Sequence, residues 1–435
     1  MKNTILKLGL PGLMIVLLTS CGTGKNNDPA NTGQTDSGLL NEFIIMAYSG
    51  PPPEETTPER YREIAEAGIE YLVPGNMNFS TEQNLKILDL AVQSGIKIIP
   101  WDIRTLGYTA NQKITIDSAA LADMVNDYKD HPALGAYLIM DEPAANLFPE
   151  LKIVTELLQA ADPTHVSTIN VNPSYGPVGD DFKSYLRSYI ETVKPELLSY
   201  DHYCLRIDTT TYEMWFSDLS IVREVARVAD IPYMVFVMSE GITNGFRVPN
   251  RAEILWQANT ALAYGTRGIG WFAYWTPLPD HGWSIASEDK KPPLLESHYN
   301  AMIDIKGNRT ELYDYVKEAN QYLNIAGKGL QGWDNSDAAR FEKGEIVEGS
   351  SPVITPEGVD ANLIIGTFRK DDRLRVVLSN SHWDNPSAFS LKVSPDWDID
   401  GIFASIDASR TGEKESLLEW AMEPGGSVVI EFKPA

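Results

Sequence analysis

Through most of the chain, short apolar runs alternate with longer amphipathic stretches. The apolar runs are rich in β-branched and aromatic residues, which is typical of strands, and they end in polar or aromatic residues. The stretches between them place apolar residues three or four positions apart, as on one face of a helix. The pattern predicts eight consecutive strand–helix units. Their strand-like runs lie at residues 42–50, 69–76, 96–104, 134–143, 165–173, 196–205, 233–241 and 268–277.

Several of the amphipathic stretches carry signals for the start and the end of a helix. Ser80 and Gln83 have the spacing of a capping box, and Gly95 stands where that helix should end. Thr57 precedes Pro58, which combines a capping residue with a proline in the first helical turn. These signals place helices, rather than irregular loops, between the strands.

Strands that are joined by helical crossovers run parallel, and eight such units favour a closed (β/α)8 TIM barrel over residues 41–335. An open doubly wound sheet is the alternative. It is disfavoured because no Gly-rich phosphate-binding turn follows the first strand.

After residue 340 the pattern changes to strand-like runs with no helical stretch between them. Two apolar runs surround the charged turn Lys370-Asp371-Asp372 and predict a hairpin. Residues 340–435 are therefore expected to form a small antiparallel β-sandwich domain packed on the barrel.

The first 21 residues have a charged start with Lys2 and Lys7, followed by an apolar run. The run is too short to span a bilayer permanently, and this arrangement is typical of a signal peptide. The run ends in Leu-Thr-Ser-Cys, which resembles the lipobox of bacterial lipoproteins and implies lipidation at Cys21. Residues 22–40 predict a flexible tether. The resemblance implies a lipid-anchored protein of the bacterial cell envelope. Gly22 after the cysteine favours the outer membrane, and the membrane face stays open.

Composition narrows the classes of partner. The formal net charge of −24 repels phosphate backbones and anionic lipid heads, so nucleic acid is not an expected partner, and membrane contact is expected only through the anchor. Cys21 and Cys204 are the two cysteines, so the mature chain has no internal disulfide, and Cys204 is expected to be a buried small hydrophobe. The six histidines show no ligand spacing, so no metal or cofactor is expected.

Two predicted strands end in a glutamate. The fourth ends in Asp141-Glu142 and the seventh in Glu240. In a (β/α)8 barrel the active site lies at the C-terminal ends of the strands, where such side chains converge. Two carboxyl groups that flank a cleft are what glycoside hydrolysis requires. Because Glu142 ends a very apolar strand, it is the better candidate for a carboxyl group whose pKa is raised by burial.

Other polar and aromatic residues close the remaining strands. Asp201, His202 and Tyr203 end the sixth strand, where a His or Tyr can hydrogen-bond a nucleophilic carboxylate. Trp275 lies at the end of the eighth strand-like run and offers a platform for a sugar ring. Further donors, acceptors and aromatic faces for sugar binding are expected from Tyr48, Trp101, Arg104, Asn170 and Asn172.

This constellation resembles the clan A glycoside hydrolases, which include families 5, 39 and 42. The resemblance implies an acid/base role for Glu142, a nucleophile role for Glu240, a hydrogen bond from Tyr203 or His202 to that nucleophile, and a sugar platform at Trp275. Most of the clan has Asn before the strand-4 glutamate, whereas this chain has Asp141, for which a substrate-binding role is favoured. The lipobox and the C-terminal domain resemble envelope enzymes of gut-type Bacteroidota.

The sequence thus predicts a retaining glycoside hydrolase that cleaves a β-linked glycan of the β-glucan or β-galactan type. The choice between internal and terminal cleavage and the oligomeric state stay open. One alternative is a glycan-binding lipoprotein with a non-catalytic barrel. Another is an inverting or substrate-assisted glycosidase that uses Asp141 or Asp201.

Overall fold

The computed structural model describes residues 38–75, 79–108, 114–179, 181–208, 212–242, 245–277, 298–414 and 417–435. The predicted signal peptide, its lipidation site Cys21 and nearly all of the predicted tether lie outside the described residues. None of the helices in the described ranges is both long enough and apolar enough to cross a membrane.

Eight parallel strands form the first sheet, and their order is β3-β2-β1-β8-β7-β6-β5-β4. The two ends of this order meet, because Ile98 donates to Ala133 O (2.8 Å) and accepts from Gly135 N (2.8 Å). The sheet is therefore closed, and the predicted (β/α)8 barrel is confirmed. The strands are β1 (Ile44–Tyr48), β2 (Tyr71–Val73), β3 (Lys97–Ile98), β4 (Tyr137–Asp141), β5 (Ser167–Val171), β6 (Leu198–Asp201), β7 (Tyr233–Met238) and β8 (Gly268–Phe272).

One long helix follows each strand. The predicted capping box forms at the start of the second helix, where Ser80 accepts from Gln83 N and the Gln83 side chain accepts from Ser80 N. Gly95 ends that helix in the left-handed conformation (φ 72°), which glycine adopts without strain. The helices are α1 (Pro58–Glu66), α2 (Thr81–Ser94), α3 (Ser118–Tyr128), α4 (Phe148–Ala161), α5 (Phe182–Val193), α6 (Tyr212–Ala229), α7 (Arg251–Tyr264) and α8 (Glu311–Gly329).

Alternate residues of each barrel strand serve two different cores, because successive side chains point to opposite faces. On β1, Ile44, Met46 and Tyr48 belong to the cluster that fills the barrel, whereas Ile45 and Ala47 pack outward against the helices. Trp101 and Phe272 are partly buried and pack against the inner cluster.

The C-terminal strands form one antiparallel sheet in the order β10-β9-β12-β13-β16-β14-β11, with β15 paired to β16. The predicted hairpin is present, with its turn at Asp371 and Asp372. The long strand β16 pairs with β13 through residues 427–432 and with β14 through residues 418–422. It therefore joins β13 and β14 into one continuous sheet. The strands are β9 (Asp334–Glu342), β10 (Glu345–Gly349), β11 (Ile354–Glu357), β12 (Leu363–Lys370), β13 (Arg373–Asn380), β14 (Ser387–Val393), β15 (Trp397–Lys414) and β16 (Leu417–Pro434).

Helix α7 joins the barrel to this sheet. Its residues from Glu253 onward are buried, because β7 and the neighbouring helices cover one side and strands β12, β13 and β16 cover the other. Trp256 Nε1 donates to Ser381 O (2.7 Å), and Asn259 Nδ2 donates to Gly425 O (2.8 Å). The sheet therefore completes the hydrophobic core of the barrel on this side.

Candidate active site

Carboxyl groups gather at the C-terminal ends of the barrel strands. Asp141 is the last residue of β4 and Glu142 follows it, while Asp201 is the last residue of β6. Asn170, on the intervening strand β5, links two of them: its Nδ2 lies 3.1 Å from Asp141 Oδ1 and 3.1 Å from Asp201 Oδ1. Ser199 Oγ donates to Asn170 Oδ1 (2.9 Å) and so fixes which end of the amide faces the acids.

Two of these carboxyl groups, those of Asp141 and Asp201, have raised pKa values. Burial and the neighbouring charge of Glu142 raise the pKa of Asp141 to about 7, although the hydrogen bond from Asn170 lowers it in part. Burial raises the pKa of Asp201 well above its usual value, and the charges of Glu142 and Asp141 and a hydrogen bond with the Glu142 side chain add to that rise. Asp201 therefore keeps its proton to a higher pH than an ordinary aspartic acid, and its carboxyl group is hydrogen-bonded to that of Glu142.

Glu142 was expected to be the better candidate for a raised pKa because it ends an apolar strand, but the burial on which that expectation depends is absent. Its side chain is exposed at the barrel mouth, whereas Asp201 is buried and Asp141 is largely covered. Asp201, whose pKa is raised, is hydrogen-bonded to this exposed side chain.

Glu240 stands two residues after the end of β7 and has 0% of its surface exposed. The residue before it fixes the local bend, because Ser239 N donates to Phe272 O (2.6 Å) and Ser239 Oγ donates to Ala273 O (3.0 Å). A carboxyl group buried at the end of a barrel strand is costly unless it has a partner or a task.

His202 is anchored from behind by a helix. Its Nδ1 lies 2.8 Å from Asp218 Oδ2 on α6, and both side chains are buried. The same Asp218 oxygen accepts from Ser174 N (3.1 Å). Tyr175 and Trp215 meet the imidazole ring edge to face, each at 5.3 Å between ring centroids. Within the described part of the chain, His202 Nε2 makes no hydrogen bond.

Aromatic side chains surround the acids. Tyr203 packs against Phe272 at 5.4 Å, and Phe272 packs against Tyr48 at 5.9 Å. Burial, followed by the charge of Asp201, raises the pKa of Tyr203, and burial, followed by the charge of Asp141, raises that of Tyr48. Both predicted tyrosines therefore lie within electrostatic range of the acid cluster.

Two of these aromatic residues were not predicted from the sequence. Tyr175 Oη accepts from Tyr203 N (2.7 Å), and Phe272 lies between Tyr203 and Tyr48. Tyr175 follows β5 in a loop on the same face of the barrel, and that position was the available signal. Phe272 ends β8, but nothing in its own stretch of sequence separates it from the tryptophans beside it.

Three other predicted residues have structural partners. Arg104 binds Asp102 (2.8 Å) and Asp127 (2.6 Å), so its guanidinium is engaged with α3 and its preceding loop. Trp275 is 2% exposed, and the Arg60 guanidinium lies 5.1 Å from its ring centroid, so one face of the ring is already covered.

Asn172 is the third of these residues. It is fully buried, and its Nδ2 donates to Pro143 O (3.0 Å) and lies 3.3 Å from Tyr185 Oη. Its amide nitrogen is thus used to support the backbone that follows Glu142, and it does not face the mouth as a donor for a sugar hydroxyl.

Among the described residues, no group of three or more His, Cys, Asp and Glu side chains has an arrangement that could hold a metal ion. The acids at the mouth are instead surrounded by amide, hydroxyl and aromatic groups. Carboxyl groups with unequal pKa values in such surroundings are equipped for proton transfer.

The sequence matches no protein-family model, and a search of curated proteins finds no match. Solved structures to which this chain is similar include a β-galactosidase from the psychrophilic Marinomonas ef1 (TM-score 0.47, 10% identity), matched over 66% of this chain and 60% of that one. A family 51 α-L-arabinofuranosidase, AbfB from Bifidobacterium longum (TM-score 0.47, 10% identity), is matched over 90% of this chain and 96% of that one. An α-amylase from H. orenii (TM-score 0.48, 10% identity) is matched over 90% of this chain and 98% of that one. These are glycoside hydrolases, and the likeness concerns the fold alone.

Proposed function

We propose that this protein is a retaining glycoside hydrolase that cleaves a β-linked glycan, with Glu142 as acid/base and Glu240 as nucleophile. Glu142 protonates the leaving oxygen while Glu240 attacks the anomeric carbon. Water, deprotonated by Glu142, then cleaves the glycosyl ester on Glu240. The observation that carries the proposal is the carboxyl cluster of Asp141, Glu142 and Asp201, with its two raised pKa values, at the barrel mouth.

Glycoside cleavage needs a proton donor and an ionised carboxylate at the same pH, and unequal environments are the means of keeping both. Asp201, whose pKa is raised and whose carboxyl group is hydrogen-bonded to Glu142, can pass a proton to Glu142 as the donor. Glu240 follows β7, which is separated from β4 by two strands of the closed barrel, so the two glutamates can approach one sugar from different sides.

The acid cluster also bears on the substrate. Carboxylates at the mouth repel uronic acids and sulfated sugars, while protonated Asp141 and Asp201 can donate to hydroxyl groups. The aromatic faces of Tyr203 and Phe272 suit the apolar face of a sugar ring. A neutral β-glucan or β-galactan fits these properties.

The first experiment incubates the purified protein with a panel of neutral β-glycans and measures the release of reducing sugar. Wild type should release sugar from at least one glycan, and Glu240→Gln should lose about 10²-fold or more of that rate. Glu357→Gln, at an exposed site in the sheet domain, is the matched control and should keep it. Binding without release by wild type would favour the glycan-binding lipoprotein instead.

A second candidate is an inverting or substrate-assisted glycosidase, and the hydrogen bond between Glu142 and Asp201 favours it. In that reaction Asp201 or Asp141 would activate water or orient a group of the substrate. Proton NMR of the first-formed anomer separates inversion from the other two reactions, which both retain configuration. Azide rescue of Glu240→Gly, with formation of a glycosyl azide, would identify Glu240 as the nucleophile.

We also propose that the protein is anchored in the cell envelope through lipid on Cys21, with residues 22–40 as the tether. Metabolic labelling with a fatty acid should mark the wild-type protein in the membrane fraction. Cys21→Ser should remove the label and release the protein from that fraction.

A further inference from the structure

The backbone at Glu142 is in an unfavourable conformation. Its φ of 47° is left-handed, a region that residues with a Cβ atom enter at a cost. The next residue is Pro143, whose ring further restricts the residue before it to extended conformations. Such a conformation persists only where its surroundings impose it.

Three hydrogen bonds impose it here. Glu142 N donates to Asn170 O (2.7 Å), which ties the residue to the neighbouring strand. One residue later, Pro143 O accepts from both Tyr185 Oη (2.7 Å) and Asn172 Nδ2 (3.0 Å). The peptide groups on both sides of the Glu142–Pro143 unit are therefore held.

The two side chains that hold Pro143 O are themselves fixed. Asn172 N and Nδ2 both lie within hydrogen-bond distance of Tyr185 Oη, at 3.5 and 3.3 Å. Both side chains are buried, and Phe148 packs on the Tyr185 ring at 5.2 Å. Gly176 closes the other side, since a Cβ atom there would come within 2.7 Å of Asn172 Oδ1.

We propose that Tyr185 and Asn172 are positioning residues that hold Glu142 in its left-handed conformation and so aim its carboxyl group at the barrel mouth, against Asp201. The inference rests on the proposed function for its effect on rate. Neither residue reaches a substrate, because both are buried behind the Glu142–Pro143 backbone.

The test compares Tyr185→Phe with Tyr189→Phe. Tyr189 lies one turn later on α5 and is also buried, but within the described part of the chain it donates no hydrogen bond to Pro143 O. Tyr185→Phe should lower kcat on a cleaved glycan by about tenfold or more, with KM changed by less than about twofold, because misplaced catalytic groups slow the reaction without weakening binding. Its kcat/KM pH profile should also shift, because the raised pKa of Asp201 depends on the Glu142 carboxyl group beside it, while Tyr189→Phe should match wild type.

Asn172→Ala provides the second variant, and the double variant should lose little more than the larger single loss, because both side chains act on one carbonyl. Unchanged kcat and pH profile in Tyr185→Phe and Asn172→Ala would overturn the inference. So would equal losses in Tyr185→Phe and Tyr189→Phe.

A crystal structure of Tyr185→Phe with Asn172→Ala decides the inference without any activity. We expect Glu142 to leave the left-handed region and its carboxyl group to move away from Asp201. An unchanged φ at residue 142 would overturn the positioning role. If wild type cleaves no glycan, the proposed hydrolase activity is wrong. The conformation of residue 142 in this variant still tests the positioning role of Tyr185 and Asn172 separately.

Discussion

His202 Nδ1 and Asp218 Oδ2 lie 2.8 Å apart with both side chains withdrawn from solvent. The contact links the end of β6 to the middle of α6, and it fixes the plane of the imidazole ring one residue after Asp201 of the acid cluster. The mouth of the barrel is thus supported from the helix layer as well as from its own strands.

Asp218→Ala should lower the free energy of unfolding by roughly 2 kcal/mol or more, because the donors of His202 and Ser174 both lose a buried acceptor. Urea denaturation measures the loss. Asp123→Ala, at an exposed site within α3, should stay within about 0.5 kcal/mol of wild type. A comparable loss in both variants would contradict this account of the pair.

Glu142→Ala should distinguish substrates by their leaving groups. Cleavage of glycosides with poor leaving groups should slow by about 10²- to 10⁴-fold, because their oxygen needs a proton, while activated aryl glycosides should form the glycosyl-enzyme at nearly the normal rate. The rates are followed by release of the phenol. Glu156→Ala, on the exposed side of α4, is the control. Equal slowing for all leaving groups would exclude Glu142 as the acid.

The repeating part of the fold was predictable because its signals are local. The capping box of Ser80 and Gln83 and the stop at Gly95 are properties of one stretch of chain, and the structure contains them. Eight repeats of strand and helix then leave few arrangements, of which the closed barrel is the one found. The long strands β15 and β16 were harder to predict, because their pairing shifts register several times, including between Ile406 and Ala408.

The site was predictable only as far as strand ends could be located. Asp141, Glu142 and Asp201 follow from that rule, whereas Asp218 reaches His202 through the packing of a helix that no local pattern places. The pKa values depend on Asp201 arriving beside Glu142 from another strand. For the same reason, the sequence does not tell whether the ring of Trp275 faces a cleft or the Arg60 guanidinium.

Asp141 should make stability fall as pH rises. Its pKa is about 7 in the folded state against about 4 in an unfolded chain, so between these values the folded state holds a proton that the unfolded state releases. Asp141→Asn removes this loss of stability because the amide does not ionise. The free energy of unfolding of Asp141→Asn relative to that of wild type should therefore be about 2 kcal/mol higher at about pH 8 than at about pH 4. This difference is smaller than the full pKa shift implies, because the mouth admits water.

Asp162→Asn serves as the control with the opposite sign. Burial of Asp162 is outweighed by hydrogen bonds from Thr164 and His165, which hold its pKa below the usual value. Its ionised form therefore stabilises the fold at neutral pH, and Asp162→Asn should lose stability at about pH 8. Denaturation curves of all three proteins at both pH values are compared. A gain in Asp141→Asn that is the same at both pH values would show that ionisation is not its cause.

The contact between the sheet and helix α7 depends on Gly366 of β12. A Cβ atom at this position would overlap the backbone of Ala263 on α7, because the three atoms nearest to it are the carbonyl oxygen, the carbonyl carbon and the Cα of that residue. Gly366→Ala should therefore push the sheet off α7 and lower the free energy of unfolding by about 3 kcal/mol or more, exposing the outward face of that helix. Gly401→Ala, where a Cβ atom would meet nothing within 4 Å, should change stability little. Thermal unfolding and binding of a hydrophobic dye measure both variants. Because α7 also packs against β7, we expect Gly366→Ala to lower the rate of glycan cleavage more than Gly401→Ala does. Equal stability of the two variants would contradict the close backbone contact between the sheet and α7.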